Sequence, residues 1–223
     1  MTLFYLSHVI GPDTPSYGGH FPLETEVLKS INEGDSCNEI SVRMPLHFGT
    51  HVDAPRHFDD SGMTVDQFPP EYWRCTKVCL LDIPIGEDGL VRLSDDSPLL
   101  SEIDDDCELL LLRTGSQTLR ASSPNLYATR GPSLCDDFAS WIRRNRALKF
   151  LGIDSISVSS PQKRELGRKA HTALLAPGIG STVLIIEDMD LSNLQTAPSE
   201  VWILPLRLAG ADGAPVTVVA KLF

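Results

Sequence analysis

Short apolar runs of β type recur along the chain, at residues 39–44, 77–82, 108–113, 149–153, 182–187, 201–206 and 216–222. Most are bounded by Gly, Pro, Asp or Ser, the residues that punctuate strands. The most apolar stretches, 109–112 and 183–186, have the length of buried strands and fall far short of the ~18 residues of a membrane span. Helical signals are fewer. The clearest covers residues 133–146, with Pro132 beside its start and Asp136 and Asp137 in its first turn. Leu134, Phe138, Trp141 and Ile142 form its apolar stripe, and Arg143, Arg144 and Arg146 lie in its last turn. Acids early and bases late suit the helix dipole. A second helix is predicted over 163–174. No repeat, low-complexity tract or linker interrupts the pattern. The prediction is a single α/β domain over residues 1–223, mostly β with a few packed helices.

Composition narrows the function. The chain has 223 residues, 42% hydrophobic and 22% charged, ordinary globular usage with enough length for a real core. Thirty acids face nineteen bases, a net charge of −11. Without a basic stripe, nucleic acid and anionic lipid surfaces are excluded as partners, while the charge balance says nothing about small-molecule substrates. The opening MTLFYLSHVIGP lacks the basic and long apolar regions of a signal peptide, so a cytoplasmic location is expected. The five cysteines are odd in number and scattered, which predicts buried strand thiols in a reducing compartment. Cys75 and Cys79 form one close pair where a zinc knuckle needs two. The acidic run 104–106 lacks calcium-loop spacing and reads as a solvated turn.

Candidate chemistry concentrates in one segment. Of six histidines, His47, His51 and His57 fall within eleven residues, with Asp53 among them. A helix is excluded here: Pro45 precedes the segment, Gly49 and Thr50 separate the first two histidines, Val52 is β-branched and Pro55 follows. A strand entering from 40–44, a tight turn at Gly49 and an extended piece after it fit better. In extended chain His51 and Asp53 point the same way, and His47 returns to the same point across the turn. Imidazole with carboxylate and no thiolate suits Zn²⁺ first, with Mn²⁺ as the alternative. Three protein ligands leave positions open, as a catalytic metal site requires. His8 and His20 stand alone in Gly- and Pro-rich segments and are expected to be structural or exposed.

Residues 47–57 match the His-x-Gly-Thr-His-x-Asp-x-Pro-x-His signature at every fixed position. In this the chain resembles the metal-dependent cyclase superfamily, which includes bacterial kynurenine formamidases and isatin hydrolases. Leu6-Ser7-His8, Asp13-Thr14-Pro15, Arg113-Thr114-Gly115, Gly152-Ile153-Asp154-Ser155 with Ser157, Leu204-Pro205-Leu206 and the run 210–215 are also similar to family segments. The resemblance implies a barrel-like sheet of the swivelling β/β/α type and a homo-oligomer, a dimer or higher. It implies that His47, His51 and Asp53 bind one divalent metal and that Asp53 can bridge to a second. It gives His57 the acid/base role. It also implies a distal His opening a helix-like segment and a Glu ending the next strand, best matched by His171 and Glu187. Two departures stand out. The His171–Glu187 spacing of sixteen residues is longer than in formamidases, with the extra residues around 177–182. The family's Trp-Pro-Gly-Asp is replaced by Ser16-Tyr17-Gly18-Gly19, which makes Tyr17 the candidate stacking aromatic.

The expected reaction is hydrolysis of an amide, formamide or lactam bond of a small aryl substrate by a metal-activated water, with His57 protonating the leaving nitrogen. Phe48 and Phe58 flank the ligands in sequence and are expected to wall an apolar pocket, whereas Phe68 and Trp73 are expected in the core. The alternative keeps the metal and changes the reaction, to a cyclase or dehydratase acting on a polyketide-like or other carbonyl substrate. A non-catalytic metal-binding scaffold is ranked last, because His57 is present.

Overall fold

The structure, a computed structural model, describes residues 2–21, 23–93, 97–144, 147–178 and 180–222. The strands are β1 (Thr2–Tyr5), β2 (Glu24–Lys29), β3 (Glu39–Arg43), β4 (His51–Asp53), β5 (Arg74–Cys75), β6 (Val78–Asp82), β7 (Leu90–Val91), β8 (Leu109–Arg113), β9 (Ser133–Leu134), β10 (Phe150–Ile153), β11 (Leu184–Glu187), β12 (Glu200–Pro205) and β13 (Gly213–Leu222). The helices are α1 (Thr118–Ser122), α2 (Pro124–Thr129), α3 (Asp136–Arg144) and α4 (Arg164–Leu175).

Seven of these strands coincide with the predicted runs; β13 begins earlier than expected, at Gly213. Strands β1, β2, β5, β7 and β9 were not predicted, because they are short or lack an apolar pattern. The first predicted helix starts later than its stripe suggests. Leu134 belongs to β9, which pairs with β7, and its N–H is taken by Val158 O at 2.8 Å. The helix therefore begins at Asp136, and Phe138 and Ile142 carry its buried face; Arg146 lies outside the described residues.

One mixed sheet dominates, in the order β5-β12-β13-β4-β11-β10-β8-β6, with β1 also on β13. Strands β11, β10, β8 and β6 run parallel, whereas β4 is antiparallel to both β11 and β13. The sheet curls into a nearly closed barrel, a mixed α/β domain of mostly strands with four α-helices among the described residues. Side-chain alternation explains its two cores. Leu109, Leu111, Phe150, Leu184 and Ile186 meet Val201, Ile203, Val216 and Val218 from the antiparallel half. The alternate residues Leu110, Leu112, Leu151, Ile153 and Ile185 pack with Phe138 and Ile142 of α3 and Leu174 and Leu175 of α4. Phe68 and Trp73 lie in the first of these cores, as expected. Strands β2 and β3 stand apart as an isolated hairpin, and every residue of the two strands is exposed. Of the free cysteines, Cys75, Cys79 and Cys107 are buried strand-region thiols as predicted, whereas Cys37 is exposed. The run 104–106 is an exposed turn.

Candidate metal centre and its cavity

The predicted turn is present. Gly49 has φ +63°, left-handed backbone that favours glycine, and the chain then extends into β4. His51 and Asp53 share one face of that strand, and His47 comes back across the turn until its Nδ1 lies 2.7 Å from Asp53 Oδ1. Thr50 ties the turn down: its hydroxyl donates to Asp188 O at 2.5 Å and accepts from His8 N–H at 2.9 Å. His8 thus acts through its backbone, and neither it nor His20 joins the cluster.

Distant elements supply the remaining donors. The β4–β11 register sets Glu187 directly opposite His51, where cross-strand side chains are neighbours. Helix α4 brings His171, which lies well inside the helix rather than at its opening. The result is a ring of alternating donors. His51 Nε2 is 3.5 Å from Asp53 Oδ1 and 3.4 Å from Glu187 Oε2. His171 Nε2 is 3.5 Å from Asp53 Oδ2 and 3.4 Å from Glu187 Oε1. Each carboxylate therefore turns one oxygen toward each imidazole.

This donor set fits a divalent cation. The separations exceed the 2.7–3.2 Å of a good N–H···O bond, but two ligands about 2.0–2.1 Å from one zinc, at the tetrahedral angle, lie about 3.3–3.4 Å apart. The tautomers fit as well. His51 Nδ1–H donates to Gly49 O and His171 Nδ1–H to Gly167 O, both at 2.8 Å, which leaves each Nε2 lone pair facing the carboxylates. Glu187 is oriented in turn by Ser157 Oγ–H and Val158 N–H, each 2.8 Å from Oε1.

Asp212 was not foreseen. It is the one carboxylate of the run 210–215, and no neighbour in sequence marks it as part of a site. Asp212 Oδ2 accepts from His57 Nδ1 at 2.9 Å and lies 3.0 Å from His47 Nε2. The rings of His47 and His57 stack at 4.0 Å. His57 thus sits beside the donor ring with its tautomer set by a carboxylate, the arrangement of an oriented acid/base.

Electrostatics follow from this crowding. Burial disfavours a charged His47, but Asp53 and Asp212 outweigh it and hold the ring's pKa up to about 10. His171 is likewise buried, and Asp53 and Glu187 raise it to about 10. Burial and Asp53 push Glu187 upward, but His171 and His51 dominate and lower it to about 2. Hydrogen bonds from His47 and His57 hold Asp212 well below the usual carboxylate range. With protons as the only cations at the site, these ion pairs support the fold fully between about pH 4.5 and 6.5; their contribution fades as pH rises through about 10 and as it falls through about 2. A divalent cation needs the neutral imidazoles, so its binding at pH 7 should release protons and tighten as pH rises. Calorimetry of zinc binding in two buffers of different ionisation enthalpy should report net proton release; buffer-independent heats would contradict it.

These groups close the inner end of a cavity of about 460 Å³. Its apolar wall includes Phe21, Phe48, Phe58 and Ile156, and Phe58 stacks on His171 at 4.7 Å. Tyr17 also lines it, with its hydroxyl 3.1 Å from Ser159 Oγ. Close packing under this wall depends on Gly167, where a Cβ would stand 1.7 Å from Ser159 Oγ and 3.0 Å from its Cα. Gly167→Ala must move the carbonyl that holds His171. It is expected to cost about 1–3 kcal/mol of stability and about 10–100-fold in metal affinity. Thermal melts and zinc titration check this, and wild-type values for both would refute it.

Residues 4–160 match the family model Cyclase, described as "Putative cyclase". The kynurenine formamidase of Bacillus thuringiensis subsp. konkukian (strain 97-27) is 32% identical over 224 residues, covering 97% of this chain and 95% of the relative. Isatin hydrolase A from Labrenzia aggregata, solved with benzyl benzoate, superposes with a TM-score of 0.77 at 18% identity, over 99% of this chain and 93% of that one. A structure described as a potential metal-dependent hydrolase with cyclase activity superposes at 0.69 and 20% identity, over 98% and 96%. At such identities the solved structures show a shared fold.

Proposed function

Because the chain belongs to the cyclase family, we propose that it is a metal-dependent hydrolase that cleaves a non-peptide C–N bond, an amide, formamide or lactam, in a small aryl substrate. The observation that carries this is the ring of two carboxylates and two imidazoles at the inner end of an apolar cavity, with the His57–Asp212 pair beside it. His47, His51, Asp53, His171 and Glu187 would hold the cation, Zn²⁺ first and Mn²⁺ as the alternative. Two oxygens on each of Asp53 and Glu187, turned to different imidazoles, favour two ions over one. A cation bound there supplies Lewis-acid activation of water near neutral pH and polarisation of the carbonyl.

The chain's own residues do the rest. The apolar wall with Phe48, Phe58 and Tyr17 holds the aryl ring and orients its carbonyl toward the donor ring. Asp212 accepts from His57 Nδ1–H, which leaves Nε2 as the atom that delivers a proton to the departing nitrogen as the C–N bond breaks.

Purified protein with zinc or manganese should hydrolyse N-formylkynurenine or isatin faster than simple aryl lactones. Activity on none of these, with metal bound, would sink the hydrolase reading. The cyclase or dehydratase reading predicts water loss or ring closure on a carbonyl substrate instead.

The site is intracellular and one domain spans 1–223 in this proposal; free cysteines support the cytoplasm. No helix among the described residues is long and apolar enough to cross a membrane. A homo-oligomer is proposed as well. Val27, Ile31, Ile40 and Val42 on or beside the β2–β3 hairpin are each more than half exposed. A two-stranded hairpin alone is marginal in water, so a second copy would cover it. Val27→Glu combined with Val42→Glu should convert a dimer to monomers by light scattering; a monomeric wild type would overturn this.

A further inference from the structure

The cavity has a third chemical zone that the hydrolysis above does not use. Arg164 and Arg168 line it together with His171, all on α4 at a spacing of four and then three residues, which places them on one helix face. Both arginines are exposed, and among the described residues neither makes an ion pair or a hydrogen bond. Elsewhere Arg43, Arg74, Arg92, Arg113 and Arg120 each pair with an acid, and Arg56, Arg130 and Arg207, unpaired among the described residues, do not line this cavity. Two free guanidiniums in one cavity wall are notable in a chain with thirty acids and nineteen bases. Arg164 is also the first residue of α4, at the positive end of the helix dipole, where a cation is disfavoured by a few tenths to about 1 kcal/mol. Local helix stability therefore does not explain it.

The zones are ordered along the cavity. The donor ring is buried and the arginines are exposed, so the guanidiniums lie toward the open end. At 1.5 Å of rise per residue, Arg168 and Arg164 stand about 4.5 and about 10.5 Å along the helix from His171. An aryl group on the Phe21 and Phe58 wall would span that interval. We infer that Arg164 and Arg168 form a carboxylate subsite, which selects aryl substrates carrying an anionic group on the side of the ring away from the scissile C–N bond. This rests on the hydrolase reading for its reaction, but not for its binding. A guanidinium fork matches a carboxylate in two parallel hydrogen bonds. It would also offset the repulsion of an anionic substrate by a protein of net charge −11.

The test uses two aryl formamides that differ only in a side-chain carboxylate or its uncharged carboxamide. Calorimetric Kd and kcat/KM are measured for both on zinc-loaded protein, and Kd again on zinc-free protein. The wild type should prefer the carboxylate about tenfold or more. Arg164→Gln and Arg168→Gln should each reduce that preference, the double variant should abolish it, and Arg168→Lys should restore part of it. Added salt should shrink the preference. Equal binding of the two compounds by wild type would overturn the inference. So would arginine variants that leave the preference intact, or that alter only the oligomeric state, since the arginines would then serve a second copy. If neither compound is turned over while the binding preference and its loss in the variants persist, the hydrolase reading fails and the subsite stands.

Discussion

Asp53→Ala is expected to lose the bound cation and turnover together. Asp53 is buried and faces three imidazoles: Oδ1 meets His47 and His51, and Oδ2 meets His171. No other side chain in the cluster touches all three. Partners that merely orient a ligand are worth about 10–100-fold in metal affinity, so removal of the group common to both halves of the ring should exceed that. The loss has a second component. The imidazoles around Asp53 owe their raised pKa in large part to its charge, and breaking such a buried pair costs about 3–5 kcal/mol. A lowered melting temperature is therefore expected in the zinc-free variant. Asp53→Asn keeps the shape and removes the charge, so it should fold better and still bind metal poorly. Metal analysis by mass spectrometry decides the matter: full occupancy in both variants would refute Asp53 as a ligand.

His57→Ala should behave in the opposite way, keeping its metal and losing about 10²–10⁴ in kcat, the usual worth of a positioned acid/base. His57 stacks on His47, bonds Asp212 and meets the His171 ring edge-on at 6.2 Å, but it bonds no donor atom of the ring of Asp53, Glu187, His51 and His171, so its removal should leave that ring in place. Because its proton goes to the departing nitrogen, the loss should shrink for substrates whose leaving amine is a weak base, such as nitro-substituted anilides. Asp212→Asn should fall between wild type and His57→Ala, since it weakens the tautomer of His57 without removing the ring. Near-wild-type turnover in His57→Ala would remove the acid/base role. Loss of metal from that variant would make His57 a ligand instead.

Residues 47–57 were legible because their donors are local: the Gly49 turn and the two-residue period of β4 gather His47, His51 and Asp53 from one short segment. The strands of the cores were legible for a similar reason, since β8 and β11 are apolar on both faces. His171 and Glu187 carried no local signal and rested on the family resemblance alone. Asp212 carried none either, as it meets His57 from 155 residues away. Several motif residues acquired a reason only in three dimensions. Asp154 accepts from the N–H groups of Thr114 and Gly115 at 2.8 Å each, and so joins the ends of the parallel strands β8 and β10. Asp188, held by Arg120 and Tyr127, anchors the chain just past Glu187.

By itself the chain's pattern determined the β-rich α/β architecture, the non-helical histidine loop and the kind of cation such donors suit. These depend on periodicity, turn residues and ligand chemistry, all carried by neighbours in sequence. Tertiary structure decided which strands lie side by side, and with them the pairing of Glu187 with His51, the place of Asp212, the cavity face of α4 and the exposed hairpin. Such contacts are set by register and packing between segments far apart in the chain, where many pairings share the same local pattern and only the assembled core selects one.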